Sequence, residues 1–186
     1  MTATLAPIGA HTRSIDPGDT LIDIVDLHDH VIEVVQRREM RARNLRHRSV
    51  GIAVVDRDGR VLIHRRADNK DVWPGLWDLA VGGVVDAGES WDRAAVRELA
   101  EEVGSNAPIH EIGRGSYEDD AVKAIVRMYV AHDDGPFTFS DGEVVEAFFV
   151  SVEELAERLA RDSFVPDSVT LMWPLLSGGA DGLPTT

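Results

Sequence analysis

A single α+β or layered α/β domain is the fold class this sequence predicts. Apolar runs of strand length alternate irregularly with stretches of helical composition, no segment repeats at a fixed period, and no G-x-G-x-x-G follows a strand. At 186 residues the chain has the length of one domain with a real core.

Residues 1–19 and 177–186 carry little periodicity and much Thr, Ala, Pro and Gly, so they are expected to be frayed tails around a domain spanning 20–176. "LIDIVDLHDHVIEVVQ" holds two β-type runs around a polar "LHDH", which predicts a hairpin. "RREMRARNLR" is helical in composition. It feeds "HRSVGIAVVDRDGRVLIHRR", where Asp58-Gly59 separates two apolar strands and signals a second hairpin. Ser90 is a suitable N-cap, and Trp91 to Val103 contains neither Gly nor Pro, so a helix is expected to end before Gly104. Strands are expected at Ala121–Ala131 and Val144–Val150. A helix should start near Ser151, where "SVEE" has the form of a capping box, and a short one should follow Pro166-Asp167.

Composition narrows the function. Without cysteine, disulfides, thiolate metal sites and a cysteine nucleophile are excluded. The net charge of −14 argues against a nucleic-acid partner or an anionic membrane surface. The N-terminus lacks the pattern of a signal peptide, and no apolar run is long enough to span a membrane, so a cytoplasmic location is expected. A homodimer is left open.

The stretch "GGVVDAGESWDRAAVRELAEEVGS" carries the chemistry. At 100° per residue, Glu98, Glu101 and Glu102 fall within one arc of about 100°, with Val96, Leu99, Ala100 and Val103 opposite. An acidic face and a core face are expected. Two like charges about 6 Å apart repel by roughly 0.7 kcal/mol in water, and by about four times that at an effective dielectric near 20. A divalent cation would reverse that sign, and hard oxygen donors favour Mg²⁺ or Mn²⁺. The alternative is a solvated face on which Arg93 and Arg97 pair locally.

The same segment resembles the signature of the Nudix hydrolases, G-x5-E-x7-R-E-U-x-E-E-x-G-U with U a bulky aliphatic. Gly83, Glu89, Arg97, Glu98, Leu99, Glu101, Glu102 and Gly104 match, and only Ser105 departs at the final position. The resemblance implies an α/β/α sandwich with a catalytic loop–helix–loop that hydrolyses a small-molecule diphosphate with Mg²⁺ or Mn²⁺. By position, Glu98, Glu101 and Glu102 resemble metal ligands, with Glu98 and Glu102 also catalytic. Arg97 resembles the residue that orients a catalytic carboxylate, and Glu89 an auxiliary ligand. Gly82 and Gly83 could bring a backbone carbonyl to the metal, and Glu143 or Glu146 resembles a late-loop carboxylate that completes the site.

A longer resemblance, over about residues 21–176, is to the isopentenyl-diphosphate isomerases and their bacterial hydrolase relatives. The hydrolase branch is also similar in "MRARNLRHRSV" and "FVPDSV". The isomerases' catalytic cysteine falls at Gly82, one metal-binding histidine at Val84 and their second catalytic glutamate near Ala124, leaving His47 as the matched metal histidine. Isomerisation needs a proton donor and acceptor on opposite faces of a double bond, so the resemblance favours hydrolysis. A nucleotide-binding module without turnover is the other alternative. Arg65, Arg66 and Lys70 are candidates for substrate phosphates, and Trp77 for stacking on a substrate base or for the core.

Overall fold

The structure, a computed structural model, describes residues 16–139 and 142–178. Of the expected tails, residues 1–15 and 179–186 lie outside the described residues, while Pro17–Asp19 forms one 3-10 turn. The first expected hairpin forms from β1 (Leu21–Val25) and β2 (Val31–Gln36), paired antiparallel. Helix α1 (Arg37–Ala42) follows directly and buries Met40.

β3 (His47–Val55) is the organising strand. It pairs in parallel with β8 (Lys123–His132) along its whole length and antiparallel with β6 (Val81–Val84). The second expected hairpin forms at its turn, but its ladder is short. β3 and β4 (Val61–Arg66) meet only at Val55↔Val61, beside the Asp58-Gly59 turn, and then diverge. β4 pairs instead with β5 (Trp77–Asp78) and β9 (Val144–Val150). The ladder partners of β3 and β4 therefore come from distant sequence.

Alternation along the strands sends side chains to two cores. Val50, Ile52 and Val54 of β3 pack with Tyr129, Ala131 and helix α2 (Trp91–Val103), whereas Ala53 and Val55 face Val126, Met128, Leu155 and Met172 on the other side. That second layer is built by α3 (Val152–Leu159), α4 (Pro166–Leu171) and α5 (Trp173–Ser177). Helices on both faces of a mixed sheet make an α/β/α sandwich. Among the described residues, no helix is long and apolar enough to cross a membrane.

The predicted strand at Ala121–Ala131 is observed as β8, two residues later at its start. Its antiparallel partner β7 (Ile109–Glu118) was not expected, because Gly113, Gly115 and several charged residues interrupt its apolar pattern. Both glycines bring the helices close: a Cβ would stand 2.9 Å from Leu175 Cδ1 at Gly113 and 2.7 Å from Leu171 Cδ2 at Gly115, so those leucines would have to shift. The sheet surface is bare there so that α4 and α5 can press onto it.

Candidate active site

Helix α2 begins and ends where its caps dictate. The Ser90 hydroxyl accepts from the Arg93 N–H, and Gly104 takes the left-handed conformation (φ 71°) that stops the helix. Its buried half holds Ala94, Ala95, Leu99 and Val103, together with Glu98 and Glu102, which are 9% and 4% exposed. This corrects the expected division of faces. Val96 lies exposed, and two of the three glutamates lie within the buried half of the helix. A solvated acidic face would leave them in water.

What they pack against is the glycine strand β6. The Gly82 N–H donates to Glu102 Oε2 at 3.2 Å, and a Cβ built on Gly83 would lie 2.5 Å from Glu98 Oε1. Gly83 thus leaves a cradle that the Glu98 carboxylate fills. Its own carbonyl accepts from the Ser49 hydroxyl at 2.9 Å.

Arg97 ties the acids together. Its Nε and one terminal nitrogen donate to the two oxygens of Glu89 at 3.1 and 2.9 Å, and the same terminal nitrogen donates to the Val84 carbonyl. The other terminal nitrogen donates to Glu98 at 2.7 Å and to Glu101 at 3.2 Å. Such forked, charge-assisted bonding fixes geometry as well as charge. Hydrogen bonding from Glu89 raises the Arg97 pKa further. Burial disfavours the charge on Glu89, but Arg97 outweighs it and lowers the Glu89 pKa.

Glu98 and Glu102 both shift the other way from Glu89. Burial raises the pKa of Glu98 against the pull of Arg97. Burial and then the charge of Glu98 raise that of Glu102 well above the usual carboxylate value, with Lys70 opposing. Lys70 is ion-paired with Glu143, which ends the loop leading into β9. Asp141, two residues before Glu143, lies outside the described residues. Glu146 lies exposed, opposite Arg65 in the β4–β9 ladder.

The three basic residues proposed for phosphates go to three places. Lys70 joins the acidic pair, Arg65 donates to the Gly75 carbonyl and Asp68, and Arg66 turns inward to Asp78 and the Val72 carbonyl. Trp77 is half-buried in the second core, edge-on to Phe148 at 5.3 Å and beneath the Arg158 guanidinium.

Across β6 from the acids lies a cavity of about 110 Å³. Arg41, His47, Arg66, Asp78 and Asp167 line it, along with the backbone of Val81 to Val84. The stretches "MRARNLRHRSV" and "FVPDSV", distant in sequence, meet here. Sequence reasoning singled out both stretches but gave no site role to Arg41, Asp78 or Asp167. Only their assembly from α1, β5 and α4 distinguishes them from ordinary surface charges.

Among the described residues, no three Asp, Glu or His side chains stand together in an ion-holding arrangement, since Glu101 is drawn to Arg97 and Glu143 to Lys70. The chemistry of the donors nonetheless suits a hard dication. Glu98 and Glu102 offer carboxylate oxygens whose charges burial and mutual repulsion leave undercompensated. Glycine at position 83 keeps the space over β6 for them.

Comparison with known proteins agrees with this geometry. Residues 45–170 match the family described as NUDIX domain. The chain is 38% identical over 149 residues to the uncharacterized Nudix hydrolase YfcD of Escherichia coli K12, covering 80% of this chain and 82% of that protein. It is 40% identical over 158 residues to an uncharacterized Nudix hydrolase of Streptomyces coelicolor, covering 82% and 86%. In fold it is similar to DR0079 of Deinococcus radiodurans, with a TM-score of 0.69 at 22% identity over 84% of this chain and 96% of the other. It is also similar to a MutT protein of Methanosarcina mazei, with a TM-score of 0.58 at 26% identity over 65% and 86%. The family match, the relatives and the loop–helix built on Gly83, Arg97 and the glutamates lead to one conclusion: the chain belongs to the Nudix family, and it is a hydrolase.

Proposed function

We propose that this enzyme uses Mg²⁺ or Mn²⁺ to hydrolyse a phosphoanhydride bond in a nucleoside di- or triphosphate or another nucleoside-diphosphate-linked compound. The observation that carries the proposal is the pair of buried carboxylates, Glu98 and Glu102, held over the glycines of β6 with their charges undercompensated. Glu98 and Glu102 would hold the cation, with Glu89, Glu101 and Glu143 as further oxygen donors. When bound, the cation would neutralise phosphate charge and polarise a phosphoryl oxygen.

The chain's own residues supply the rest. Arg97 orients Glu98 through a 2.7 Å hydrogen bond while its other nitrogens anchor to Glu89 and the Val84 carbonyl. Glu98, its pKa raised by burial and its carboxylate oriented by Arg97, is the residue we assign to take the proton of the attacking water. Lys70, close enough to influence Glu102, is placed to meet a substrate phosphate once Glu143 releases it. The isomerase alternative loses support at the same strand. Gly82 is pressed against β3, where a Cβ would stand 2.0 Å from the Val50 carbonyl oxygen, and Val84 and Ala124 are core.

The test is a panel of nucleoside di- and triphosphates, sugar nucleotides, dinucleotides and coenzyme A, assayed with each metal for release of phosphate, pyrophosphate or nucleotide. Glu98→Gln and Glu102→Gln should each lower kcat by about 10²–10⁴-fold on the best substrate. Full turnover in both variants would remove these residues from the reaction. Nucleotide binding without any product would favour a binding module, and isotope exchange into isopentenyl diphosphate would favour the isomerase.

A further inference from the structure

The cavity on the far side of β6 has a composition that a phosphate site would not have. Two arginines, Arg41 and Arg66, face two acids, the buried Asp78 and the partly buried Asp167, whose pKa is raised to about 7 by burial and then by Asp78. Burial and then Arg37 lower the Arg41 pKa to about 10, and burial lowers that of His47 to about 4, which leaves the imidazole neutral. The two acids set against the arginines weaken the cavity's pull on a dianion. It does present donors and acceptors together, and the arrangement is incomplete: the Nε–H groups of both Arg41 and Arg66 are buried without a partner. Unmatched buried donors are uncommon and costly, and they mark places where a further group belongs.

Much of the remaining wall is apolar. Trp73, Met128 and Met172 line it. Trp73 holds a left-handed backbone conformation (φ 49°), unusual for a bulky residue, and stands edge-on to Tyr117 at 6.0 Å. The volume is of the same order as the ~150 Å³ engineered cavity that takes a benzene ring. It has room for one ring.

Position ties the cavity to the acids. Val81 to Val84 form one wall, and the Gly82 N–H and the space above Gly83 belong to Glu102 and Glu98. Among the described residues β6 pairs only with β3, so its other edge is unpaired. A substrate with its diphosphate at Glu98 and Glu102 can turn around that edge.

We infer that this cavity is the specificity pocket of the enzyme and takes an uncharged single-ring or carboxamide group carrying an acceptor and a donor on one edge, as in a pyrimidine base or a nicotinamide. A carbonyl oxygen on that edge would accept from Arg41 or Arg66, and an adjacent N–H would donate to Asp78 or Asp167. The ring would lie against Trp73 and the two methionines. As a statement about substrate, the inference rests on the hydrolase function proposed above, but the pocket can be tested without turnover.

Methyl-labelled methionine allows that test in metal-free buffer with EDTA. Uridine, cytidine and nicotinamide should each be titrated, with adenosine as the two-ring control and orthophosphate as the charge control. At least one single-ring probe should shift the Met128 and Met172 methyl signals saturably and leave Met40, which packs in a separate core on the β1 side, unmoved. Asp167→Asn, which keeps the shape, should change affinity for that probe by about tenfold or more, and Val126→Phe should fill the space and abolish binding. Glu98→Gln should bind the probe like the parent, which separates failure of the pocket from failure of catalysis. No saturable shift with any single-ring probe would overturn the inference. So would adenosine binding equally well, orthophosphate alone shifting the two methyls, or affinity unmoved in both pocket variants.

Discussion

Glu102 is the residue at which folding and chemistry conflict. It is almost fully buried, accepts one backbone hydrogen bond and lies near two other carboxylates, Glu98 and Glu143. Its folded pKa lies above its unfolded one, so the protonated side chain favours the fold. That contribution is complete below the unfolded value of about 4.5 and is lost as pH rises through the raised folded value. In metal-free buffer Glu102→Gln should therefore have a higher Tm than the parent at pH 7–8, with the gap closing as pH falls toward 4.5. Each kcal/mol recovered corresponds to roughly 2–4 °C in a chain of this size. Millimolar Mg²⁺ should stabilise the parent and leave the variant almost unmoved. A parent Tm indifferent to the cation, or a variant less stable at every pH, would contradict this account. These carboxylates were legible in the sequence because their spacing is tied to one helix. Their burial was not, since the angular positions of Glu98 and Glu102 say nothing of β6, whose glycines leave room for carboxylates against the sheet.

At the scale of the element, β6 shows how two adjacent glycines can do different things. A Cβ at Gly82 would meet the Val50 carbonyl oxygen, a backbone atom that cannot swing aside. A Cβ at Gly83 would meet the end of the Glu98 side chain, which can. Gly82→Ala is expected to cost more than about 3 kcal/mol in urea denaturation and to displace β6. Gly83→Ala should cost less than about 1.5 kcal/mol yet lower kcat about 10²-fold, because the carboxylate is moved by about an ångström while the strand is kept. Equal losses of stability in the two variants would refute the distinction. Elements with strong local signals were readable: α2 from Ser90 and Gly104, β9 from its apolar run, and α3 from its capping Ser151. β5 and β6 were hidden in the loop preceding α2, since strands of two and four residues, the second with two glycines inside it, have no usable period.

For the molecule as a whole, acid is the expected weakness. His47 and His64 are both buried and their pKa values are pushed down to about 4, chiefly by burial. Their neutral forms contribute stability that is fully present above the unfolded value near 6.5 and is lost as pH falls toward 4, by about 3 kcal/mol for each. His64 has an Nδ1 without a partner, so His64→Leu gives up no hydrogen bond at that atom. It should lower the pH midpoint of unfolding followed by circular dichroism and reduce proton uptake between pH 6.5 and 4 by about one. Unchanged uptake would mean that His64 is already charged in the fold. A mixed α/β domain was legible from the irregular alternation of strand and helix signals, and the α/β/α plan from the resemblance to the Nudix hydrolases. The cavity was not, because α1, β5 and α4 each contribute one charged residue that looks unremarkable alone.

The sequence separation of β3 from its partners has a consequence for how the chain is made. During synthesis β3 emerges with β1 and β2, and β6 becomes available some thirty residues later. β8, which covers the other side of β3 from His47 to Val55, comes only after β6, α2 and β7 have all been completed. Until then one side of this organising strand has no mate, and closing so long a loop is the kind of step that makes sheet proteins slow to fold. The nascent chain is thus most exposed to mispairing between the appearance of α2 and that of residue 132, a window in which a chaperone that shields extended apolar segments would have its greatest effect on yield.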